Sequence, residues 1–284
     1  EDLLGLPKVT LPVTLECAGN GRIGMSPRRH SMPWGCEAVG TSEWTGTLLW
    51  PLIDEAKANR SVVEFSFTGA DFGYDKGIGH FYGRSLTVEQ ARDLNVLLVY
   101  EMNGQPLLPQ HGSPIRLIVP GWYGMASVKW LTEISALSEP FRGFQQTQTY
   151  RYRKSLEDEG RPITEMLVKS LMVPPGVPDF VTRDRCLRVG RVRIEGRAWS
   201  GAGKDISEVE FGINGKWEKA SILGKVGEYA WTKWVFEWDA TPGQYILQCR
   251  AKDELGCQQP TEPPWNLGGF GNNSLHSINV FVKN

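Results

Sequence analysis

The sequence lacks the features that mark membrane-spanning and nucleic-acid-binding proteins. It contains no run of about 18 apolar residues, so no segment is predicted to cross a bilayer as a helix. Its 31 basic and 32 acidic residues give a formal net charge of -1, which provides no overall field that would attract nucleic acid. We therefore expect neither a nucleic-acid partner nor a membrane segment.

Cysteine is scarce, and its spacing excludes several kinds of metal site. The five cysteines form no CxxC pair, no zinc-finger spacing and no CxxCH motif for covalent haem. An odd number cannot pair completely within one chain, and the pattern leaves the compartment open. Because no haem motif is present, we expect no haem within this chain.

Tryptophan and glycine, by contrast, are abundant. The chain has 284 residues with 11 Trp and 32 Gly, which predicts aromatic-rich β structure with many tight turns. This length is enough for two domains. Residues 1–155 are predicted to form a mixed α/β domain, residues 156–176 a charged and proline-bearing linker, and residues 177–284 an immunoglobulin-like β-sandwich. The predicted fold class is therefore α+β.

Apolar and alternating segments give the predicted elements. In the first domain they predict helices at 48–58, ended by Asn59, and at 87–94, long loops at 71–84 and 106–114, and strands at 12–16, 62–67, 96–100 and 115–119. In the last domain they predict strands at 192–199, 209–213, 231–238, 245–251 and 278–282. Because loops on a rigid scaffold carry binding groups, the two long loops are expected to contribute to a site.

Cys17 lies between a predicted strand and the glycine-rich turn at 18–21. A thiolate held open by such a turn can bind a soft or highly charged metal ion. The alternative is a structural thiol, because free cysteine is among the most buried residue types. The local pattern alone favours the buried role, so the other motifs decide the question.

Five blocks of sequence occur in a family order and at near-family spacing. They are TLECAGN at 14–20, YEMNGQP at 100–106, HGSPIR at 111–116, VPG at 119–121 and VKWL at 128–131. Together they resemble the sulfite oxidase family of molybdenum enzymes, which includes assimilatory nitrate reductases. Three later blocks, AWSG at 198–201, QP at 259–260 and WNL at 265–267, resemble the family's dimerisation domain. The resemblance covers nearly the whole chain.

The resemblance implies a molybdenum–molybdopterin cofactor and assigns residues to it. Cys17 is implied to bind molybdenum through its sulfur, beside the dithiolene of the cofactor. Arginine and lysine suit a buried phosphate. The implied cofactor-binding residues are Asp71, His111, Arg116 and the segment Ser127, Val128 and Lys129. Read alone, Asp71 would cap a turn and His111 would be structural, but their joint spacing favours the cofactor.

The family also places an arginine and a tyrosine beside the metal's equatorial oxo group, and here these are Arg22 and Tyr150. A guanidinium orients an oxyanion and compensates its charge. Tyr152 is a rival to Tyr150, and an aromatic at a domain interface is the alternative role for Tyr150. Trp34 matches a tryptophan of the substrate channel, with a buried structural role as the alternative.

Three departures from the family pattern bear on the substrate. Gly268 stands where sulfite-oxidising members commonly have a second arginine, and Gly21-Arg22 replaces two adjacent arginines. Cofactor-binding residues that precede the cysteine in the family are not in this sequence, so the amino-terminal part of the domain is expected to be missing. The basic stretch Arg28, Arg29 and His30 is interpreted as a solvated patch.

The resemblance implies an enzyme that oxidises sulfite to sulfate by oxygen-atom transfer. Its partners would be a small oxyanion substrate, an external electron acceptor such as a cytochrome or oxygen, and a second copy of the chain. One alternative keeps the cofactor but takes nitrate or a sulfoxide-type compound. Another is a truncated, non-catalytic chain that acts as a dimerisation module.

Overall fold

The computed structural model describes residues 2–28, 31–57, 61–201 and 203–284, which divide into two compact units. The first unit extends to Met166 and also contains Trp265–Gly271, and the second comprises Leu167–Pro264 and Asn272–Asn284. The predicted linker at 156–176 is thus shared between the units. It carries one short strand in each, because both parts pair with neighbouring strands.

The first unit is mostly β structure, so the predicted mixed α/β domain is not confirmed. Its two α-helices in the described residues are short: α1 (Leu49–Glu55) and α2 (Val88–Asp93). The strands are β1 (Val9–Glu16), β2 (Val39–Leu48), β3 (Glu64–Asp75), β4 (Ile78–Thr87), β5 (Leu97–Met102), β6 (Gln105–Pro106), β7 (Arg116–Ile118), β8 (Leu131–Leu137), β9 (Arg151–Tyr152) and β10 (Arg161–Pro162).

The strands of the first unit form antiparallel sheets around one core. One sheet has the order β1-β2-β5-β6 with β7 also paired to β5, a second has the order β4-β3-β8, and β9 pairs with β10. Leu49, Phe67 and Leu117 are fully buried in the core that these elements share. The four strands predicted here are confirmed, since each overlaps an observed strand.

Both predicted helices are present in shorter form. Helix α2 begins at a capping box, in which the Thr87 hydroxyl accepts from the Gln90 N–H at 3.2 Å and the Gln90 side chain accepts from the Thr87 N–H at 2.9 Å. Helix α1 ends at Glu55, and Ala58 and Asn59 of its predicted end lie outside the described residues. Neither these helices nor any other in the described part of the chain has the length and apolar character needed to span a membrane.

The prediction of a long loop at 71–84 is wrong, because these residues belong to the β3–β4 hairpin. Lys76 and Gly77 turn the chain with φ of 50° and 79°, as a two-residue hairpin turn requires. The prediction weighed the glycines and overlooked the alternation of the residues between them. Pairing with β4 shifts between Thr68 and Phe72, so Asp71 lies in an irregular part of the ladder, beside the site described below.

All regular secondary-structure elements of the second unit, among its described residues, are strands. One sheet has the order β11-β14-β18-β17 and the other β12-β13-β20-β19-β15-β16, with only β13 and β20 parallel. The strands are β11 (Lys169–Met172), β12 (Val177–Pro178), β13 (Arg185–Arg188), β14 (Gly190–Trp199), β15 (Ile206–Ile213), β16 (Lys216–Lys219), β17 (Ser221–Lys225), β18 (Thr232–Ala240), β19 (Gly243–Asp253) and β20 (His276–Lys283).

The two sheets of this unit share a hydrophobic core. Ile194 and Trp234 of one sheet and Phe211 and Leu247 of the other have no exposed surface. Along β19 the buried residues alternate with more exposed ones from Leu247 to Asp253, as expected of a sheet buried on one face. The five strands predicted from alternation here are confirmed.

His276, at the start of β20, is held in its neutral form by burial. Its Nδ1 accepts a hydrogen bond from the Met172 N–H at 3.3 Å, and burial, assisted by Lys169, lowers its pKa from 6.5 to about 4. The unfolded chain therefore binds a proton at a higher pH than the folded chain. The free energy of unfolding should fall by roughly 3 kcal/mol as the pH drops from about 6.5 to about 4.

A His276→Asn variant should lose this pH dependence. The asparagine Oδ1 is attached to Cγ like the histidine Nδ1, so it can accept the same hydrogen bond but cannot take up a proton. Urea denaturation at several pH values between neutral and about pH 4 gives the free energy of unfolding for both proteins. An equal loss of stability in the two would show that other groups cause the acid sensitivity.

Candidate functional site

A cavity of about 490 Å³ lies in the first unit, where β1 ends. Five of the residues singled out from the sequence line it. Tyr82, which was not predicted, lines it as well. The five are Cys17, Asp71, Ser127, Lys129 and Tyr150. Groups far apart in sequence therefore share one cavity that combines a thiol, a carboxylate, an amine and two phenols.

Cys17 presents an exposed thiol on a rigid backbone. Its N–H donates to the Ala38 carbonyl at 2.9 Å, and its carbonyl accepts from the Asn20 N–H at 2.9 Å. Asn20 is itself buried and donates through Nδ2 to Glu16 Oε1 at 2.9 Å. Because the turn is held on both sides while the thiol faces the cavity, the geometry suits a ligand rather than a buried structural cysteine.

Arg22 is a buried cation whose hydrogen-bond partners among the described residues are all neutral. Its Nε donates to the Gly269 carbonyl at 3.2 Å, and its Nη1 donates to Ser31 Oγ at 3.2 Å and to the Met32 carbonyl at 3.1 Å. Burial lowers its pKa, and the neighbouring Cys17 opposes that shift. A fixed guanidinium of this kind is suited to an anion.

The segment Trp265–Gly271 covers Arg22. Gly269 has φ of 63°, and a Cβ there would lie 2.7 Å from Arg22 Cγ, so only glycine fits this close approach. The Phe270 ring centroid is 5.0 Å from the guanidinium carbon of Arg22. A Cβ on Gly268 would collide with the same ring, so Phe270 occupies the space that a side chain at 268 would need. Phe270 was not predicted from the sequence as a site residue.

Arg116 is a second buried cation, and it is hydrogen-bonded to two of the predicted cofactor-binding residues. Its Nη1 donates to the His111 carbonyl at 2.9 Å and its Nη2 to the Ser127 carbonyl at 3.2 Å. Its guanidinium carbon lies 4.8 Å from the Trp44 ring centroid. Burial lowers its pKa to about 10. His111 thus contributes its backbone to Arg116.

Lys129 and Val128 differ in what they offer to a ligand. The Lys129 ammonium donates to the Gln110 carbonyl at 3.2 Å, and burial together with Arg116 lowers its pKa. Val128 is buried in the core, and its N–H and carbonyl are bonded to Ala126 and Leu117. The role of Lys129 fits the cavity, whereas the role of Val128 stays a prediction without geometric support.

Of the two candidate tyrosines, Tyr150 lines the cavity. It follows the π-helical turn Gln145–Thr149, and its ring centroid is 5.4 Å from that of Phe270. Burial raises its pKa, as does Cys17, so the phenol is protonated at neutral pH. The Tyr152 hydroxyl is buried beside Gly271, away from the cavity lining, and burial raises its pKa to about 12.

Tyr82 and Arg84 are two further site residues that were not predicted from the sequence. The Tyr82 hydroxyl donates to the Met125 carbonyl at 2.6 Å, and Tyr82 lines the cavity together with Tyr150. Arg84 is 3% exposed, and burial lowers its pKa. Both lie on β4, two residues apart, so alternation along this strand would have placed them on one face had it been recognised.

The entrance residues predicted from the sequence are placed only in part. Trp34 is 44% exposed and does not line the cavity. Arg28 is exposed, as a solvated patch requires, while Arg29 and His30 lie outside the described residues. The role of Trp34 in a substrate channel therefore remains a prediction.

The charges of the first unit fit an anionic cofactor. Arg22, Arg84 and Arg116 are all buried, and none of them pairs with a carboxylate among the residues the structure describes. Buried charges are normally paired, because isolated ions are costly to remove from water. Guanidinium groups that bond only to carbonyl and hydroxyl oxygens can receive a phosphate or an oxyanion. The exposed thiol supplies the soft ligand that a metal of this cofactor would need.

Two family profiles match this chain. The one described as "Oxidoreductase molybdopterin binding domain" matches residues 1–145, and the one described as "Mo-co oxidoreductase dimerisation domain" matches residues 160–283. Mitochondrial sulfite oxidase of Macaca fascicularis is 33% identical over 304 residues, which cover 99% of this chain and 54% of the relative. NADH nitrate reductase of Ulva prolifera is 30% identical over 314 residues, which cover 99% of this chain and 36% of the relative.

A solved structure extends the similarity to three dimensions. The sulfane dehydrogenase SoxCD from Paracoccus pantotrophus superimposes with a TM-score of 0.80 at 28% identity. The match covers 100% of this chain and 73% of that one. The present chain spans about half the length of the mammalian sulfite oxidases that it matches.

Proposed function

We propose that this chain, which belongs to the sulfite oxidase family of molybdopterin-dependent oxidoreductases, oxidises sulfite to sulfate with a cofactor bound in the cavity of its first unit. The observation that carries the proposal is the exposed Cys17 thiol, which shares this cavity with Tyr150 while Arg22 is buried beside them. When bound, the cofactor supplies a metal centre that exchanges an oxygen atom and two electrons.

The cofactor is proposed to be held at two places. Cys17 is the proposed metal ligand, because an exposed thiolate on a fixed turn can coordinate without moving the backbone. Arg116 and Lys129 are proposed to bind the phosphate end. Ser127 and Asp71 line the same cavity and offer a hydroxyl and a carboxylate to the polar pterin.

Arg22 and Tyr150 are proposed to handle the substrate. The Arg22 guanidinium is fixed by Gly269, Ser31 and Met32, so it can orient a small oxyanion with little loss of side-chain entropy. The raised pKa of Tyr150 keeps its hydroxyl protonated, and it can donate a hydrogen bond to a substrate or product oxygen. Electrons would leave to an external acceptor, a cytochrome or oxygen.

The proposal is tested in two steps on the purified full-length protein. We expect stoichiometric molybdenum and pterin by elemental analysis and cofactor fluorescence. We then expect oxidation of sulfite with ferricyanide as acceptor, and no comparable reduction of nitrate by a reduced dye. Protein purified from a host that makes the cofactor but containing no molybdenum would refute the metal site.

A second candidate keeps the cofactor and changes the substrate to nitrate or to an uncharged sulfur compound of the sulfoxide or sulfane type. Gly268 and Phe270 favour it, because an aromatic ring fills the place where relatives commonly have a second arginine. One cation fewer weakens binding of a dianion. A structural relative is a sulfane dehydrogenase, which agrees with this possibility. A higher kcat/KM for such a compound than for sulfite would decide for it.

We propose that the second unit is an immunoglobulin-like sandwich that joins two copies of the chain. The family profile for its residues is a dimerisation domain, and its two sheets share one core as a sandwich requires. Analytical ultracentrifugation should give twice the mass of 31.8 kDa. A dimer that binds neither molybdenum nor pterin would instead favour a non-catalytic dimerisation module.

A further inference from the structure

We propose that Arg84 is a positioning residue that fixes Tyr150 against the cavity. This inference rests on the proposed function, in which Tyr150 acts on the substrate. Arg84 lies on β4 and is 3% exposed. It pairs with no carboxylate in the part of the chain that the structure describes. Burying a cation without an anionic partner costs free energy, so we expect a specific role of the Arg84 guanidinium in its contacts.

The contacts of Arg84 converge on the backbone of Tyr150. Its Nη1 donates to the Gln145 carbonyl at 3.2 Å, and that same carbonyl accepts from the Tyr150 N–H at 3.0 Å. Its Nη2 donates to the Ile163 carbonyl at 3.4 Å, while the Ile163 N–H donates to the Tyr150 carbonyl at 3.1 Å. One guanidinium therefore binds both backbone partners of Tyr150.

The guanidinium also faces the aromatic ring of Tyr150. Its carbon lies 5.8 Å from the ring centroid, within the range of a cation–π contact. Phe270 contacts the same ring, with 5.4 Å between centroids. The Arg84 Nε has no hydrogen-bond partner among the described residues. The side-chain hydrogen bonds of Arg84 are therefore those to the two carbonyls that adjoin Tyr150. Backbone and ring are both held by one side chain.

A neighbouring contact supplies a matched control. Gln146 fastens the same π-helical turn to β4, since its Nε2 donates to Ser85 Oγ at 2.7 Å and its Oε1 accepts from the Ser85 N–H at 3.1 Å. It touches neither the backbone partners nor the ring of Tyr150 by these bonds. A Gln146→Met variant loosens the turn without removing the Arg84 contacts.

A double-mutant cycle on the cofactor-loaded protein tests the assignment. We expect Arg84→Met to lower kcat by about tenfold at unchanged molybdenum content, Arg84→Lys to recover part of it, and Gln146→Met to change it less than about twofold. In a Tyr150→Phe background the Arg84→Met change should cost less than about twofold. Additive losses would overturn the proposal, and so would an equal loss in Gln146→Met.

A second readout needs no activity. 3-Fluorotyrosine at position 150 of the full chain should give one sharp ¹⁹F resonance, which Arg84→Met shifts or splits and Gln146→Met leaves in place. Arg84→Lys serves if the methionine variant does not fold, and its resonance should also move. An unmoved resonance would refute the positioning role. Because this signal does not depend on the cofactor, it stays informative even if the proposed sulfite oxidation is not found.

Discussion

Replacing Cys17 by serine should remove the metal and with it the oxidase activity. Cys17 carries the one thiol among the described residues of the cavity lining, and a hydroxyl is a poor substitute for a thiolate. Loss of groups that only support a metal ligand typically costs 10–100-fold, so loss of the proposed ligand should lower kcat by at least about a hundredfold. Molybdenum content and sulfite oxidation measure the two effects separately.

The chain offers a close control for this substitution. Cys257 is also exposed, but it lies in the second unit, where its backbone N–H is bonded to Asp253. Cys257→Ser should retain molybdenum and activity. The pterin should remain bound in Cys17→Ser through Arg116 and Lys129, since the His111, Ser127 and Gln110 carbonyls hold these side chains. A Cys17→Ser protein with full molybdenum and full turnover would exclude Cys17 as the ligand.

The strands and the turn after Cys17 could be predicted from the sequence because they follow local patterns, whereas the role of Cys17 was predicted from the other motifs. Alternation over residues 12–16 predicts a strand, which lies within the observed β1 (Val9–Glu16), and the glycines that follow predict the turn next to Cys17. The same reasoning failed for residues 71–84, where glycines in the hairpin were taken as signs of a loop. Within this hairpin only Gly77 has a positive φ, whereas Gly73, Gly79 and Gly83 pair within the strands.

The roles of Arg84 and Phe270 could not be predicted, because they arise from contacts between distant segments. Phe270 reaches Arg22 across 248 residues of sequence, and nothing within its own segment indicates an arginine beneath it. Arg84 depends on carbonyls of Gln145 and Ile163, which carry no side-chain signal at all. Sequence patterns report burial and periodicity, whereas the partner of a buried cation is set by the tertiary fold.

An Arg22→Gln variant should bind sulfite poorly while keeping its cofactor. The guanidinium has no hydrogen bond to the proposed phosphate-binding residues, so molybdenum content should be unchanged. Truncating a buried, hydrogen-bonded charge at a binding site typically costs 2–5 kcal/mol, so kcat/KM for sulfite should fall by on the order of a hundredfold. Steady-state kinetics at constant ionic strength, with sulfate as a competitive inhibitor, would show the loss.

Arg28→Gln is the matched control, because it removes the same charge from an exposed position six residues along the chain. It should change kcat/KM by less than about twofold at ordinary ionic strength, where surface charges are screened. For an uncharged sulfoxide the Arg22→Gln loss should be much smaller, because no anion is then held. Equal losses for both substrates would mean that Arg22 supports the shape of the site through Gly269 and Phe270. A loss confined to sulfite would show that Arg22 recognises the charge of the substrate.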